Sequence, residues 1–307
     1  MKQFITYLDK CSTRNYRSHK DYIELLHAIN YDYCNQYTMP IAPTSSYIEW
    51  QKNHEVDLAF PQTTETVKEK KQIVAKIESI DDILKIVDEN PYDEQYEYNI
   101  DLKRLTNIYD ELGELNKMVG LQDLKKSVVN QLLYFIQDLH IGKNGDFKHT
   151  VLYGPPGTGK TEIAKLIGKI YSKIGVLKNN AFQKVTRGDL IAGYLGQTAI
   201  KTQKVIEKSL GGGLFIDEAY SLGDFSQNDS FSKECIDTLC EALSNYKENL
   251  MVIIAGYEEE LNERLFSSNK GLESRFIWRF RMEPYTTGEL YEIFTKMVRQ
   301  NDWKMDI

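Results

Sequence analysis

The chain has 307 residues, 41% of them hydrophobic and 27% charged, which supports a sizeable core and excludes wholesale disorder. Lys and Arg number 38 against 45 Asp and Glu, a formal charge of −7, which excludes a protein that coats nucleic acid through overall basicity. No stretch approaches the ~18 apolar residues of a membrane helix, residues 1–14 carry no apolar block of a secretory signal, and four cysteines without a Cys-x-x-Cys pair read as reduced intracellular thiols.

Residues 1–110 hold 11 of the 20 tyrosines and no glycine. Turns with positive φ are therefore scarce there, which favours helices joined by polar loops. Helical spacing is visible at Tyr22, Leu25, Leu26 and Ile29. It returns at Ile73, Val74, Ile77 and Ile80, then at Ile83, Leu84 and Val87, with Ser79 placed to cap and Pro91 to end the run. Met39 to Pro61, with Pro40, Pro43 and Pro61, reads as a linker. The acidic run from Asp81 to Asp101 reads as a solvated face. Leu102, Leu105, Ile108, Tyr109 and Leu112 form another stripe, with Gly113 as its expected C-cap.

From about residue 117 strands alternate with helices. Short apolar runs stand at 149–153, 182–186, 214–216, 250–255 and 276–282, and helical patterns fill the gaps at 121–139, 160–174, 198–209 and 232–246. Strands buried on both faces and separated by helices predict a mainly parallel sheet of five strands flanked by helices. The glycines 211–213 are expected to form the tight entry into the 214–216 strand. Gly154-Pro155-Pro156-Gly157-Thr158-Gly159-Lys160-Thr161 follows the first of these strands and fits G-x-x-x-x-G-K-[ST]. Its glycines let backbone N–H groups close around a phosphate, the following helix adds its positive dipole end, Lys160 adds a full charge, and Thr161 offers a hydroxyl to Mg²⁺. Leu214-Phe215-Ile216-Asp217-Glu218 lies on a later strand of the same sheet. Asp217 suits the hydrated metal and Glu218 the activation of water, a pairing that predicts hydrolysis of a nucleoside triphosphate, with ATP and Mg²⁺ as the bound species.

Several blocks together resemble the AAA+ ATPases of the CbbX/SpoVK (CfxQ) type. They are Met118-Val119-Gly120-Leu121, the phosphate loop, Val185 to Leu190, Gly193 to Ala199, Leu214 to Leu222, Val252 to Tyr257 and Ser274-Arg275-Phe276. The resemblance covers residues from about 115 onward and leaves the first ~110 outside it. It implies a P-loop NTPase (AAA+) α/β core over 113–284 and the start of a helical lid over 285–307; the region over 1–112, read as mainly helical from its own residues, is expected to select a partner or substrate. Only the first lid helix, Glu289 to Val298, precedes Ile307, so the lid reads as truncated. Tyr194, Leu195 and Gly196 are similar to a pore loop that grips a polypeptide. Arg275 resembles a finger that reaches the γ-phosphate of a neighbouring subunit, and Val119 and Gly120 resemble the segment lining the adenine. Trp278, Arg279 and Arg281 are expected at a ring interface. Tyr257 and Glu273 stand where many relatives have a polar sensor Asn and a second Arg.

The implied function is an ATP-hydrolysing motor, assembled with copies of itself into a ring, a hexamer, that remodels a protein substrate through a central pore. It is expected in the cytoplasm, that of the host if the source is a large DNA virus, and away from membranes. Two rivals remain open at this stage. One is a nucleic-acid motor or loader lined by Lys184, Arg187, Lys201 and Lys204. The other is a non-hydrolysing, ATP-bound scaffold.

Overall fold

A computed structural model describes residues 68–141, 146–194, 196–223 and 230–303. The stripe at Tyr22 to Ile29, the linker at Met39 to Pro61, Cys11, Cys34, His19, His27 and His54 lie outside the described residues. A short parallel ribbon pairs β1 (Glu69–Lys71) with β2 (Tyr96–Tyr98). Between them runs α1 (Ile80–Glu89). It begins where Ser79 and Asp82 close a capping box: Asp82 Oδ2 accepts from Ser79 N at 2.9 Å, and Ser79 Oγ accepts from Asp82 N at 3.3 Å. The apolar spacing at 73–77 therefore does not extend the helix backward; that stretch is non-helical, and Val74 is 94% exposed.

The stripe at 102–112 forms two helices, α2 (Leu102–Asn107) and α3 (Tyr109–Asn116), which break at Ile108. Gly113 lies inside α3 and does not cap it. The helix ends one turn later, where Lys125 Nζ donates to Asn116 O at 3.0 Å and Met118 O at 2.7 Å and supplies the terminal carbonyls with a partner.

The remaining elements are α4 (Gln122–Ile136), β3 (Thr150–Tyr153), α5 (Lys160–Lys173), β4 (Phe182–Val185), α6 (Arg187–Leu190), α7 (Thr198–Ser209), β5 (Gly213–Ile216), α8 (Ser230–Asn245), β6 (Met251–Gly256), α9 (Glu258–Glu260), α10 (Lys270–Glu273), β7 (Trp278–Arg281) and α11 (Thr287–Gln300). A 3₁₀ turn spans Ala219–Leu222, and Leu261–Phe266 is a π-helical segment. Strands β3 to β7 form one parallel sheet in the order β4-β5-β6-β3-β7.

Alternate residues of each central strand enter opposite cores, as the period of two requires. Leu152, Phe215, Ile253 and Ala255 pack with α3, α4 and α5 on one face. Val151, Tyr153, Leu214, Ile216, Val252 and Ile254 pack on the other face with Ile206 of α7 and Ile236 and Leu239 of α8. Ile80, Ile83, Leu105, Ile108 and Leu112 join the first of these cores, so the expected division at 112/113 runs through it. Because the sheet is parallel, the C-terminal ends of all five strands share one edge, and residues 154–159 and 217–218 emerge there. Among the described residues, no helix is long and apolar enough to cross a membrane.

Candidate functional site

β3 ends at Tyr153, and Gly154 to Gly159 carry the chain over into α5. Gly157 and Gly159 have φ of +78° and +89°, left-handed values that a side chain resists. Gly154 is small for a different reason. A Cβ there would stand 2.9 Å from both Cβ and O of Met282, because Met282 N donates to Tyr153 O at 2.8 Å and draws the end of β7 alongside. Thr158 Oγ1 donates to Pro155 O at 2.9 Å and closes the turn over Pro156. The first amides of α5 and the positive end of its dipole face the cradle, an arrangement that accepts an anion.

Lys160 Nζ donates to Gly154 O at 2.8 Å and Pro155 O at 2.7 Å, and it lies 5.9 Å from the Tyr257 ring centroid. Burial holds its pKa below the ordinary lysine value, while the charges of Asp217 and Glu218 oppose that shift. Thr161 Oγ1 stands 3.4 Å from Asp217 Oδ2, so the sheet brings together residues 56 positions apart. Glu218 is exposed, with φ +49°, and its N–H donates to Asp217 Oδ1 at 3.1 Å. A non-glycine residue in that region is uncommon and needs its surroundings to hold it.

The glycine cradle fits a phosphate, and a hydroxyl beside a carboxylate fits a hard divalent cation. Among the described residues, no group of three or more His, Cys, Asp or Glu is placed to hold a metal. Two protein oxygens with phosphate and water as the remaining ligands is the usual magnesium arrangement.

Two contributors escape a reading of the sequence. Lys184 Nζ forms a 2.7 Å ion pair with Asp217 Oδ2 and approaches Thr161 Oγ1 at 3.3 Å. Tyr285 OH donates to Thr158 O at 3.1 Å across 127 positions. The second contact brings the entry to α11 onto the loop. Gly120, with φ +65°, abuts Glu289, and Lys296 Nζ donates to Lys117 O at 3.0 Å, so the Val119–Gly120 segment and α11 meet as well. No local pattern signals these pairings; the parallel register and the return of the chain at 285 create them.

Tyr194 is 73% exposed, beside Gly196 at φ +75°; Leu195 lies outside the described residues. The root of this loop is tied down. Lys201 Nζ donates to Gly188 O at 2.6 Å and Ile191 O at 2.9 Å, and Thr202 Oγ1 donates to Leu190 O at 3.1 Å. Lys201 is thus committed internally, as are Lys184 on Asp217 and Arg187 on Ser221 O and Ser232 Oγ, which leaves Lys204 exposed as a poor basic lining.

Arg275 lies elsewhere. It precedes β7, whose first residue pairs with Thr150, so it stands at the opposite edge of the sheet from the loop. One strand of four residues, about 13 Å, separates the two edges. Its Nε donates to Ser244 Oγ at 2.7 Å, its Nη1 donates to Gly271 O, and the guanidinium lies 5.9 Å from the Phe147 ring. The expected interface trio on β7 is engaged within the chain. Trp278 packs against Tyr134 and Phe135, Arg279 pairs with Glu273 at 3.1 Å, and Arg281 forms a fork with Glu258.

Residues 150–277 match the family described as ATPase family associated with various cellular activities (AAA). The chain is 42% identical over 207 residues to a putative cfxQ-like protein of Acanthamoeba polyphaga mimivirus, covering 67% of this chain and 51% of that protein. It is 37% identical over 199 residues to stage V sporulation protein K of Bacillus subtilis, covering 62% and 61%. It is 42% identical over 201 residues to the ESX-1 secretion system protein EccA1 of Mycolicibacterium smegmatis, covering 63% and 35%. The chain therefore spans about half the length of the viral relative and about a third of the mycobacterial one. A solved structure of the FIGL-1 AAA domain in complex with ADP superposes with a TM-score of 0.46 at 22% identity, covering 62% of each chain. With the phosphate-type loop and the Asp-Glu strand end on one edge of a five-stranded parallel sheet, the chain carries an AAA ATPase domain and is similar to the CfxQ-like and SpoVK proteins.

Proposed function

We propose that this chain binds Mg·ATP at Gly154 to Thr161, hydrolyses it, and uses the cycle to remodel a protein drawn past Tyr194 in a ring of identical subunits. The observation that carries the reading is the convergence of Thr161 and Asp217, 3.4 Å apart, beside a loop whose backbone is shaped for phosphate. In this reading Lys160 leaves its two carbonyl partners for the β- and γ-phosphates, Thr161 and Asp217 hold the magnesium, and Glu218 takes the proton of the attacking water. The magnesium neutralises charge on the phosphates when bound. Val119 and Gly120, with the start of α11, flank the base. A magnesium-nucleotide motor of this kind belongs in the cytoplasm, that of the host for a viral chain.

Arg275 supports the ring. It stands an entire strand length from the loop of its own chain, so its guanidinium serves a phosphate only if that phosphate belongs to a neighbour. Ser244 and Gly271 hold it in a fixed pose for that contact. Exposed Tyr194 on an anchored root suits sequence-independent wedging against a polypeptide.

The test compares wild type with Glu218→Gln and Lys160→Ala, measuring nucleotide binding by calorimetry and turnover by phosphate release. Glu218→Gln is expected to bind Mg·ATP as the wild type does and to lose roughly 10²–10⁴ in turnover. Lys160→Ala is expected to lose binding. A wild type that binds tightly and turns nothing over, alone or assembled, is a nucleotide-held scaffold instead.

A further inference from the structure

Lys184 occupies both oxygens that the crevice offers to a cation. Its Nζ lies 2.7 Å from Asp217 Oδ2 and 3.3 Å from Thr161 Oγ1. The backbone dictates where this side chain starts. Lys184 pairs with Phe215 and Val185 with Ile216 across β4 and β5, and Asp217 N donates to Val185 O at 3.1 Å. Its root is therefore held one strand spacing, about 4.8 Å, from β5 and next to the end where Asp217 emerges. The ammonium lies 5.8 Å from the Phe215 ring, and the side chain remains 44% exposed, so water can receive the head group when it leaves.

Lys160 feels the Asp217 charge but makes no direct contact with the carboxylate among its described hydrogen bonds. Its hydrogen bonds go to Gly154 O and Pro155 O, and the ion pair of Asp217 is with Lys184. A second cation drawn to Thr161 and Asp217 thus meets an ammonium already in place.

We infer that Lys184 is a built-in counter-ion that competes with the divalent cation for Thr161 and Asp217, and so sets the magnesium concentration at which this chain takes up nucleotide. The inference rests on the nucleotide reading above and adds a residue to it. Lys184 acts here on affinity, through Thr161 and Asp217, and takes no part in bond breaking. A part-exposed pair of this kind is worth little, which translates into a roughly two- to fivefold effect on cation affinity.

The experiment is calorimetric titration of a non-hydrolysable ATP analogue into the wild type, Lys184→Met and Lys184→Arg, across a magnesium series that begins in EDTA. Methionine keeps most of the stem and removes the charge. In Lys184→Met the half-saturating magnesium concentration is expected to fall about two- to fivefold, with the affinity in EDTA unchanged. Lys184→Arg, which keeps the charge, is expected to stay near the wild type. Manganese titration without nucleotide, followed by electron paramagnetic resonance, should show the same ordering and needs no turnover. Unchanged magnesium dependence in Lys184→Met overturns the inference alone, as does weaker analogue binding with and without magnesium, which would make Lys184 a phosphate ligand. A wild type that binds no analogue at any magnesium concentration overturns the nucleotide reading and this inference together.

Discussion

His149 has no exposed surface and both of its ring nitrogens are used, Nε2 on Leu243 O at 3.2 Å and Nδ1 accepting from Val252 N at 3.1 Å. The donor role therefore falls to Nε2, and the ring must stay neutral to serve both partners. Burial, helped slightly by Lys148 and Arg275, pulls its pKa down to about 3. The unfolded chain takes up this proton near pH 6.5 and the folded chain does so only near 3, so between those values the unfolded state binds more protons. Stability is expected to fall as pH drops through that window, by up to about 1.4 kcal/mol per pH unit from this group. Urea denaturation between pH 7 and pH 4 reads it, and His149→Gln, although less stable, should show a shallower slope by up to one proton. Cys235 carries the complementary lesson. Burial pushes its thiol up to about 11, so it remains a packing group, as its place on an apolar helix face suggests.

At the scale of elements, caps and turns separate what a local pattern reveals from what it misleads. Ser79 was legible as a cap because a hydroxyl three residues before an acid is a local signature, and the capping box forms there. Ser79→Ala is expected to cost about 1 kcal/mol in chemical denaturation. Gly113 misleads because glycine after an apolar stripe normally marks a C-cap, whereas here Lys125, from the next helix, donates to the carbonyls a turn further on. Gly113 has no positive φ, and a Cβ there would meet nothing within 4 Å. Gly113→Ala is therefore expected to stabilise the protein by about 0.5–1 kcal/mol, where a left-handed cap would give the opposite sign. Of the expected entry glycines 211–213, Gly211, at φ +86°, and Gly212 lead into β5, while Gly213 is already its first residue.

For the whole molecule, the separation of Arg275 from Lys160 and Glu218 makes assembly testable. In the proposed ring, Arg275→Ala is expected to bind nucleotide normally and to lose roughly 10³-fold or more in turnover. Mixed with Glu218→Gln subunits, which bring an intact Arg275 but no general base, it should recover part of the activity, because some interfaces then combine a sound Glu218 with a sound Arg275. Phosphate release across a mixing series measures this. Absence of recovery in mixtures shown by fluorescence transfer to co-assemble would place Arg275 in a purely structural role.

The order of strands and helices could be read from residues alone, as could the glycine loop and the Asp-Glu strand end that the proposal gives to phosphate and metal. Each rests on chemistry local to a few positions: alternating burial along a strand, glycines where φ turns positive, an Asp-Glu at the end of an apolar run. The place of Lys184 on Thr161 and Asp217, the reach of Tyr285 to Thr158 and the removal of Arg275 to the far edge of the sheet were set by folding. They follow from which strands lie side by side and in what register, and that choice is made by how two cores pack across one sheet, a property spread over the described α/β unit and written in no single segment.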